Sequence, residues 1–199
     1  FIDKLYITLV SIIAKTRNWN QLIYISKQAY NKKLIDTKTF NQNTAIAFYE
    51  TSKIKTQSEP KESLNLIQKA IKLSGPFPPF IKLYLEILMI QNDISKIKKV
   101  IKKYWNDKPS SSLRTIISEF LKKNNLANLD DIKFIIKSNY NDDESKKLLV
   151  DFAIYNNDWS LAREKIKGLI NFNPDREICE LMALLEMGEF NDIQKRDSW

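Results

Sequence analysis

Apolar residues recur three and four positions apart along most of the chain, and short polar or turn-forming stretches interrupt them at regular intervals. Between Gly75 and Pro109, Ile81, Leu85, Leu88 and Met89 mark one helical face. It lies behind Pro78 and Pro79, which suit a first turn where the missing N–H costs nothing. Gln91-Asn92-Asp93 interrupts the run, and Ile94, Ile97, Ile101 and Tyr104 mark a second helix that Pro109 ends. The pair occupies about 34 residues, the length of one tetratricopeptide-type hairpin.

The same pattern extends both ways. Upstream, Leu5, Leu9, Ile12 and Ile13 predict a helix over 2–15, and a partner opens at Trp19 behind Asn18. Asp36 to Gln42 reads as a polar link before a helix that carries Ala45, Phe48 and Tyr49 to about Lys55. After a loop at 56–59, Pro60 starts a helix with Leu64, Ile67, Ala70, Ile71 and Leu73, and Gly75-Pro76 stops it. Downstream, Ser110 to Ser112 offer N-caps for Leu113, Ile116, Ile117, Phe120 and Leu121, and Leu129 to Ser138 makes a short partner. Asp142-Asp143-Glu144 is an acidic helix start ahead of Leu148, Leu149, Phe152 and Ala153. Asp158 caps a helix from Trp159 through Ala162 and Ile166 that ends before Pro174. Arg176 to Met187 forms a last full helix closed by Gly188, and a further partner begins at Asn191.

The breaks fall near 18, 58, 92, 125, 157 and 188, at spacings of 40, 34, 33, 32 and 31. Asn18-Trp19 is echoed by Asp158-Trp159, and Asn92-Asp93-Ile94 by Asn191-Asp192-Ile193. Ala162 stands where the second helix of a tetratricopeptide hairpin needs a small residue, and Pro174 follows 12 positions later. The expected fold is all-α, a right-handed α-solenoid of tetratricopeptide-like hairpins in one domain, 1–199. Its hairpins are expected at 1–35, 42–75, 76–109, 110–140, 142–173 and, incomplete, 175–199.

Composition narrows the chemistry. No apolar run approaches the roughly 18 to 20 residues that cross a bilayer, and no signal peptide stands at the start. With Phe1 first and a helix beginning near Trp199, the chain reads as a soluble piece of something longer. There is no histidine, which removes Ser-His-Asp and Cys-His nucleophiles, the usual zinc sites and the neutral-pH proton shuttle. The single cysteine, Cys179, cannot form an internal disulfide and is compatible with a reducing compartment. These features argue against an enzyme.

The net charge of +8 is uneven: residues 1–110 carry 19 basic and 8 acidic side chains, whereas 111–199 carry 13 and 16. Solvated helix faces explain most such charge. The alternative is an anionic surface, lipid or nucleic acid, near the N-terminal half. The sharpest feature is a stripe of Lys96, Lys99 and Lys103 with a second, Lys98 and Lys102, beside it, both away from an isoleucine face. Arginine is scarce and no aromatic alternates with these lysines, so specific nucleic-acid readout is not expected.

The remaining candidates read as structural. Trp19, Trp105 and Trp159 stand at corresponding ends of hairpin helices and suit packing more than ligand stacking. Cys179 lies within an apolar stripe, as an inert thiol would. Asp130-Asp131 and Asp142-Asp143-Glu144 lack the spacing and central glycine of a calcium loop, and the three glycines stand too far apart to cradle a phosphate. No metal or cofactor is expected. A solenoid presents a concave face lined by the first helix of each hairpin. Its non-core residues here are Lys82, Glu86, Met89, Glu119, Lys123, Lys147, Asp151 and Tyr155, whose mixed charge suits a protein or peptide partner.

Several of these stretches carry a family resemblance. They are Ala70-x-x-Leu73 with Pro78-Pro79, the Val100-to-Trp105 helix before Pro109, and Glu144-Ser145. Asp158-Trp159-x-x-Ala162-Arg163 and Cys179-x-Leu181-Met182-Ala183-x-Leu185-Glu186 complete the set. Over nearly its whole length the chain resembles the soluble tetratricopeptide region of the HemY-type bacterial inner-membrane proteins associated with haem biosynthesis. It departs from them at Pro109–Ser112, where Pro-His-Pro is usual, and in Asn-Asp turns where Gly-Asp is usual. The resemblance implies a non-catalytic interaction scaffold, held at the inner membrane by segments outside this chain, with the repeats on the cytoplasmic face. Two alternatives stay open: a haem-binding or haem-handing module using Cys179, tyrosines or methionines, and a basic helical-repeat nucleic-acid-binding protein.

Overall fold

The computed structural model describes residues 2–170 and 174–199, with side chains from Leu5 onward; Phe1 and the expected end of the fifth hairpin, 171–173, lie outside the described residues. Among the described residues the chain is all-α and has no strand. It divides into two compact units, 1–94 and 95–199. The first holds α1 (Ile2–Lys15), α2 (Trp19–Asn31), α3 (Thr37–Lys55), α4 (Pro60–Ser74) and α5 (Pro78–Ile90). The second holds α6 (Ile94–Asp107) from its second residue on, α7 (Ser111–Lys123), α8 (Leu129–Ile136) and a 3-10 turn at Lys137–Asn139. There follow α9 (Asp143–Tyr155), α10 (Trp159–Lys167), α11 (Arg176–Phe190) and α12 (Ile193–Ser198).

Packing follows chain order. In the first unit α1 to α5 touch as successive neighbours. In the second, α8, α9, α10, α11 and α12 do the same, and in addition α7 lies against α9 and α9 against α11. No helix among the described residues is long and apolar enough to cross a membrane.

Three of the regular breaks share one backbone cause. Asn92, Asn125 and Asn157 adopt left-handed conformations at φ 55–57°. In each case the asparagine N–H returns to the carbonyl three residues back, as from Asn157 to Ile154 at 3.0 Å. The next N–H returns five residues, from Asp158 to Ala153 at 2.8 Å, from Asp93 to Leu88 at 3.0 Å and from Leu126 to Leu121 at 2.8 Å. This is the Schellman closure, in which a left-handed residue satisfies the last carbonyls of a helix. A left-handed L-residue costs about 1–2 kcal/mol, less for asparagine, whose short side chain tolerates the conformation. Asparagine therefore does here what glycine does in most helix ends. Asn18, Asp158 and Asp192 also open the next helix, their side chains accepting from the N–H of Gln21, Leu161 and Lys195.

Two expectations are corrected. The expected polar link from Asp36 to Gln42 is helical from Thr37, because the Asp36 carboxylate accepts from the Thr39 N–H at 2.7 Å and caps α3. Gly188 does not close α11. The helix runs on to Phe190, and Asn191, at φ 53°, is the left-handed cap. The last closing residue thus falls 34 positions after Asn157, in step with the earlier turns.

Gly188 instead makes room for an indole. A Cβ built there would lie 2.5 Å from the far edge of the Trp159 ring. Alanine ordinarily gains about 1 kcal/mol over glycine inside a helix, but overpacking of this kind costs about 1–3 kcal/mol. Gly188→Ala is therefore expected to lower stability by about 1 kcal/mol in urea unfolding. Gly168→Ala, at φ −75° with its nearest such neighbour at 3.8 Å, should instead be neutral or stabilising by up to about 1 kcal/mol. Equal effects at both sites would contradict the packing role of Trp159.

Trp19, Trp105 and Trp159 prove unequal. Trp105, in the last turn of α6, is fully buried and donates its indole N–H to Ser145 Oγ at 2.8 Å. Trp19 and Trp159 open their helices and are half-buried, in the clusters around Ile13, Leu22 and Ala47 and around Ala153, Ala162 and Leu185 respectively. The Trp19 indole N–H is buried without a partner. Ala162 is fully buried in the cluster that joins α9, α10 and α11.

Candidate functional site

The residues expected to face a partner divide between the two units. Lys82, Glu86 and Met89 lie on α5 of the first, the two charged ones exposed and Met89 half-buried. Glu119, Lys123, Lys147, Asp151 and Tyr155 lie on α7 and α9 of the second. There α7, α9 and α11 lie side by side and enclose a groove of about 250 Å³, lined by Arg114, Thr115, Ser118, Glu119, Asp151, Glu177, Glu180, Leu181 and Leu184. Glu119 and Asp151 are brought together in it. Lys123 and Tyr155 are exposed outside it, with Tyr155 bordering a shallow polar concavity beside Asn125 and Asn128.

Lys147 is not an open surface residue. It is 6% exposed, and its ammonium lies 2.7 Å from Asp175, 3.1 Å from Glu177 and 3.7 Å from Glu144. Arg114, 8% exposed, bonds Glu144 at 2.9 Å and Glu177 at 2.8 Å. Ser111 donates to the other Glu177 oxygen at 2.8 Å. One network thus ties the start of α7 to the start of α9 and to Asp175, the N-cap of α11. Further along, Lys122 pairs with Asp151 at 2.7 Å, and Ser118 donates to the same carboxylate.

The electrostatics follow from this geometry. The hydrogen bond from Lys147, with help from the Ile178 N–H, holds Asp175 below the usual carboxylate range. Burial works against ionisation of Glu177, but Ser111, Lys147 and Arg114 together still hold it low. Burial likewise opposes the charge on Lys147, and the bonds to Asp175 and Glu177 outweigh it, raising that ammonium above its ordinary value. Glu177, the one of these three that lines the groove, is therefore held in its charged form by Ser111, Lys147 and Arg114.

Sequence reasoning missed Arg114, Ser118, Glu177, Glu180 and Leu184. The available signal was register: Arg114 stands three and seven residues before Ile117 and Leu121, in the buried stripe, where a charge needs a partner.

The lysine stripe of α6 is only partly open. Lys98 pairs with Asp131 of α8 at 2.7 Å, and Lys102 sits 3.5 Å from the centroid of the Phe134 ring. Lys96 is half-buried and engaged. Lys99 and Lys103 are exposed. Cys179 is half-buried, with its sulfur 4.0 Å from the Pro174 carbonyl. Among the described residues no group of three His, Cys, Asp or Glu could hold a metal ion.

At the far side of α11, Arg163 grips Glu186 with both terminal nitrogens at 3.1 Å and Glu189 at 2.6 Å. That accounts for the arginine of the Trp-Ser-x-Ala-Arg stretch and the buried glutamate after Leu185 as one clamp between α10 and α11. Comparison of the chain with protein-family models, with curated proteins and with solved structures returned no match.

Proposed function

We propose that the chain is a non-catalytic α-solenoid of tetratricopeptide-like hairpins that holds another protein against the face made by the first helices of its repeats. The observation that carries this reading is the groove between α7, α9 and α11, with an exposed leucine, Leu184, at 54% exposure among charged residues. A partly apolar groove with a charged border is the composition of a protein interface. The right-handed solenoid, the single repeat domain and the resemblance to HemY-type haem-biosynthesis-associated inner-membrane proteins belong to the same reading. The evenly spaced turns support it.

In this reading the membrane is reached through segments outside the chain, and the repeats lie on the cytoplasmic face. The surplus of basic residues in 1–110, with Lys99 and Lys103 exposed, supports an orientation that puts the N-terminal half nearest an anionic leaflet. Vesicle co-sedimentation checks this part: stronger retention on anionic than on neutral lipid is expected, falling as salt rises. Equal retention on both would contradict it.

The scaffold reading is tested by retention of membrane proteins on the immobilised chain. A discrete stoichiometric partner is expected with the wild type and not with Leu184→Asp, whose helical circular dichroism should be unchanged because the side chain is exposed. A partner retained equally by both would sink the reading.

A further inference from the structure

We infer that α1 and α2 form a docking surface for an anionic lipid bilayer, with the outer stripe of α1 (Leu5, Leu9 and Ile12) dipping into the headgroup layer. This rests on the orientation proposed above and adds the element that touches lipid and an apolar contribution to the contact. Three observations lead to it.

The first is an apolar stripe that the fold leaves unused. Leu5, Leu9 and Ile12 follow at intervals of four and three, which puts them on one side of α1. They are 63%, 38% and 53% exposed. The core-facing side is a different one. There Ile13 is buried with Leu22 and Ala47, Val10 packs against that cluster, and the Tyr6 hydroxyl accepts a hydrogen bond from Asn43. A single exposed leucine is ordinary, whereas a row of three aliphatic side chains marks an interaction surface.

The second is unpaired charge. Residues 1–35 hold six basic side chains and one acidic one, Asp3. Lys15, Arg17, Lys27, Lys32 and Lys33 are all exposed, and none has an ion-pair partner among the described residues. By contrast, Lys98, Arg114, Lys122, Lys147 and Arg163 of the second unit are each held by a carboxylate. Free cations are drawn to the negative potential of an anionic leaflet.

The third is where the cations stand. Arg17 and Lys33 adopt left-handed conformations at φ 55° and 56°, which Asn92, Asn125, Asn157 and Asn191 adopt elsewhere. Asparagine takes that conformation with less strain than a long side chain does. A cation in the last helical turn already satisfies the helix dipole, so the two strained positions are not needed for that. Arg17 precedes α2 and Lys33 follows it; with Lys15 and Lys32 they set positive charge at both ends of that helix. Basic residues around an apolar stripe are the composition of a helix that lies in a lipid headgroup layer. The phosphates of a nucleic acid would use the cations and leave the stripe uncovered.

Co-sedimentation of the full chain with vesicles of phosphatidylcholine and about a quarter phosphatidylserine reads the binding. The wild type is expected to bind. Leu5→Gln/Ile12→Gln alters exposed side chains and should weaken binding at least about threefold with unchanged circular dichroism. Lys15→Gln/Lys27→Gln should weaken it about tenfold. Ile193→Gln, at an exposed apolar position of α12, should leave it within about twofold. With Cys179→Ser in place, Ile12→Cys should react with a water-soluble maleimide in free protein and be protected by the anionic vesicles.

If only the lysine variant loses binding, the leaflet is met through charge alone; the proposed orientation then stands and the lipid-dipping stripe is overturned. If the wild type binds neutral and anionic vesicles equally, or binds neither, the orientation and the inference fall together. If Ile12→Cys is protected without vesicles, protein covers the stripe, and the inference is overturned.

Discussion

Trp105→Ala is expected to be among the most destabilising single substitutions in the second unit, lowering its unfolding free energy by about 4–5 kcal/mol. Emptying a fully buried tryptophan site costs about 3–5 kcal/mol, and Trp105 is at 0% exposure. The substitution also strips Ser145 Oγ, itself fully buried, of its 2.8 Å donor, which adds a penalty of order 1 kcal/mol. Trp105→Phe keeps much of the volume and loses the bond, so about 2 kcal/mol is expected. Trp19→Phe should cost under about 1 kcal/mol, because it removes a buried N–H that has no partner, a group that costs about 1–3 kcal/mol to leave unsatisfied. Urea unfolding of the three variants checks the order. Equal losses from Trp105→Phe and Trp19→Phe would show that the Ser145 bond contributes nothing.

Lys147→Met carries the second large effect, about 2–3 kcal/mol at pH 7. Removing one partner of a buried pair costs about 3–5 kcal/mol; the lower figure follows because Asp175 and Glu177 keep 55% and 37% of their side-chain surface exposed. The pH dependence gives the network its signature. Asp175 and Glu177 titrate below their ordinary values of 3.8 and 4.5 in the folded state. Their contribution is thus complete above those values and is lost as pH falls through the lower folded ones. Lys147 titrates above 10.5, so its contribution is complete below that value and is lost as pH rises through the folded one. The penalty of Lys147→Met should therefore be flat from about pH 6 to 9 and shrink at acid pH, where protonated carboxylates no longer need the ammonium. A penalty that does not change between pH 7 and pH 3 would show that packing of the lysine stem, and not its charge, is what the variant removes.

The contrast between these two sites shows what the sequence could disclose. Helices and turns were legible because they are local. An apolar stripe repeats every three or four residues, and Asn92, Asn125 and Asn157 mark the ends by a conformation that few other side chains tolerate. Reading failed locally where two signals competed. Gly188 looked like a stop, yet its missing Cβ serves the ring of Trp159, 29 positions earlier. Thr37 to Gln42 looked like a link because polar residues fill the first turns of α3, but the Asp36 cap holds them helical.

The groove was legible only in part, since charge on a helix reads as solvated unless its partner is known. Lys147 meets Asp175 across 28 residues and Ser111 meets Glu177 across 66. No local pattern carries that information. Glu119 and Asp151 were identified as facing a partner because their helix positions lie off the core stripe. Lys147 was grouped with them by the same rule, although the network buries it.

The claim that ties fold to function is that the α7–α9–α11 face receives a protein segment. A photo-crosslinking residue placed at Thr115, exposed and within the groove, tests it directly in the source cell, with Lys137, exposed and outside the groove, as the reference position. One discrete protein adduct from Thr115 and none from Lys137 is the expected result. No adduct from Thr115, or the same adducts from both positions, would contradict the account.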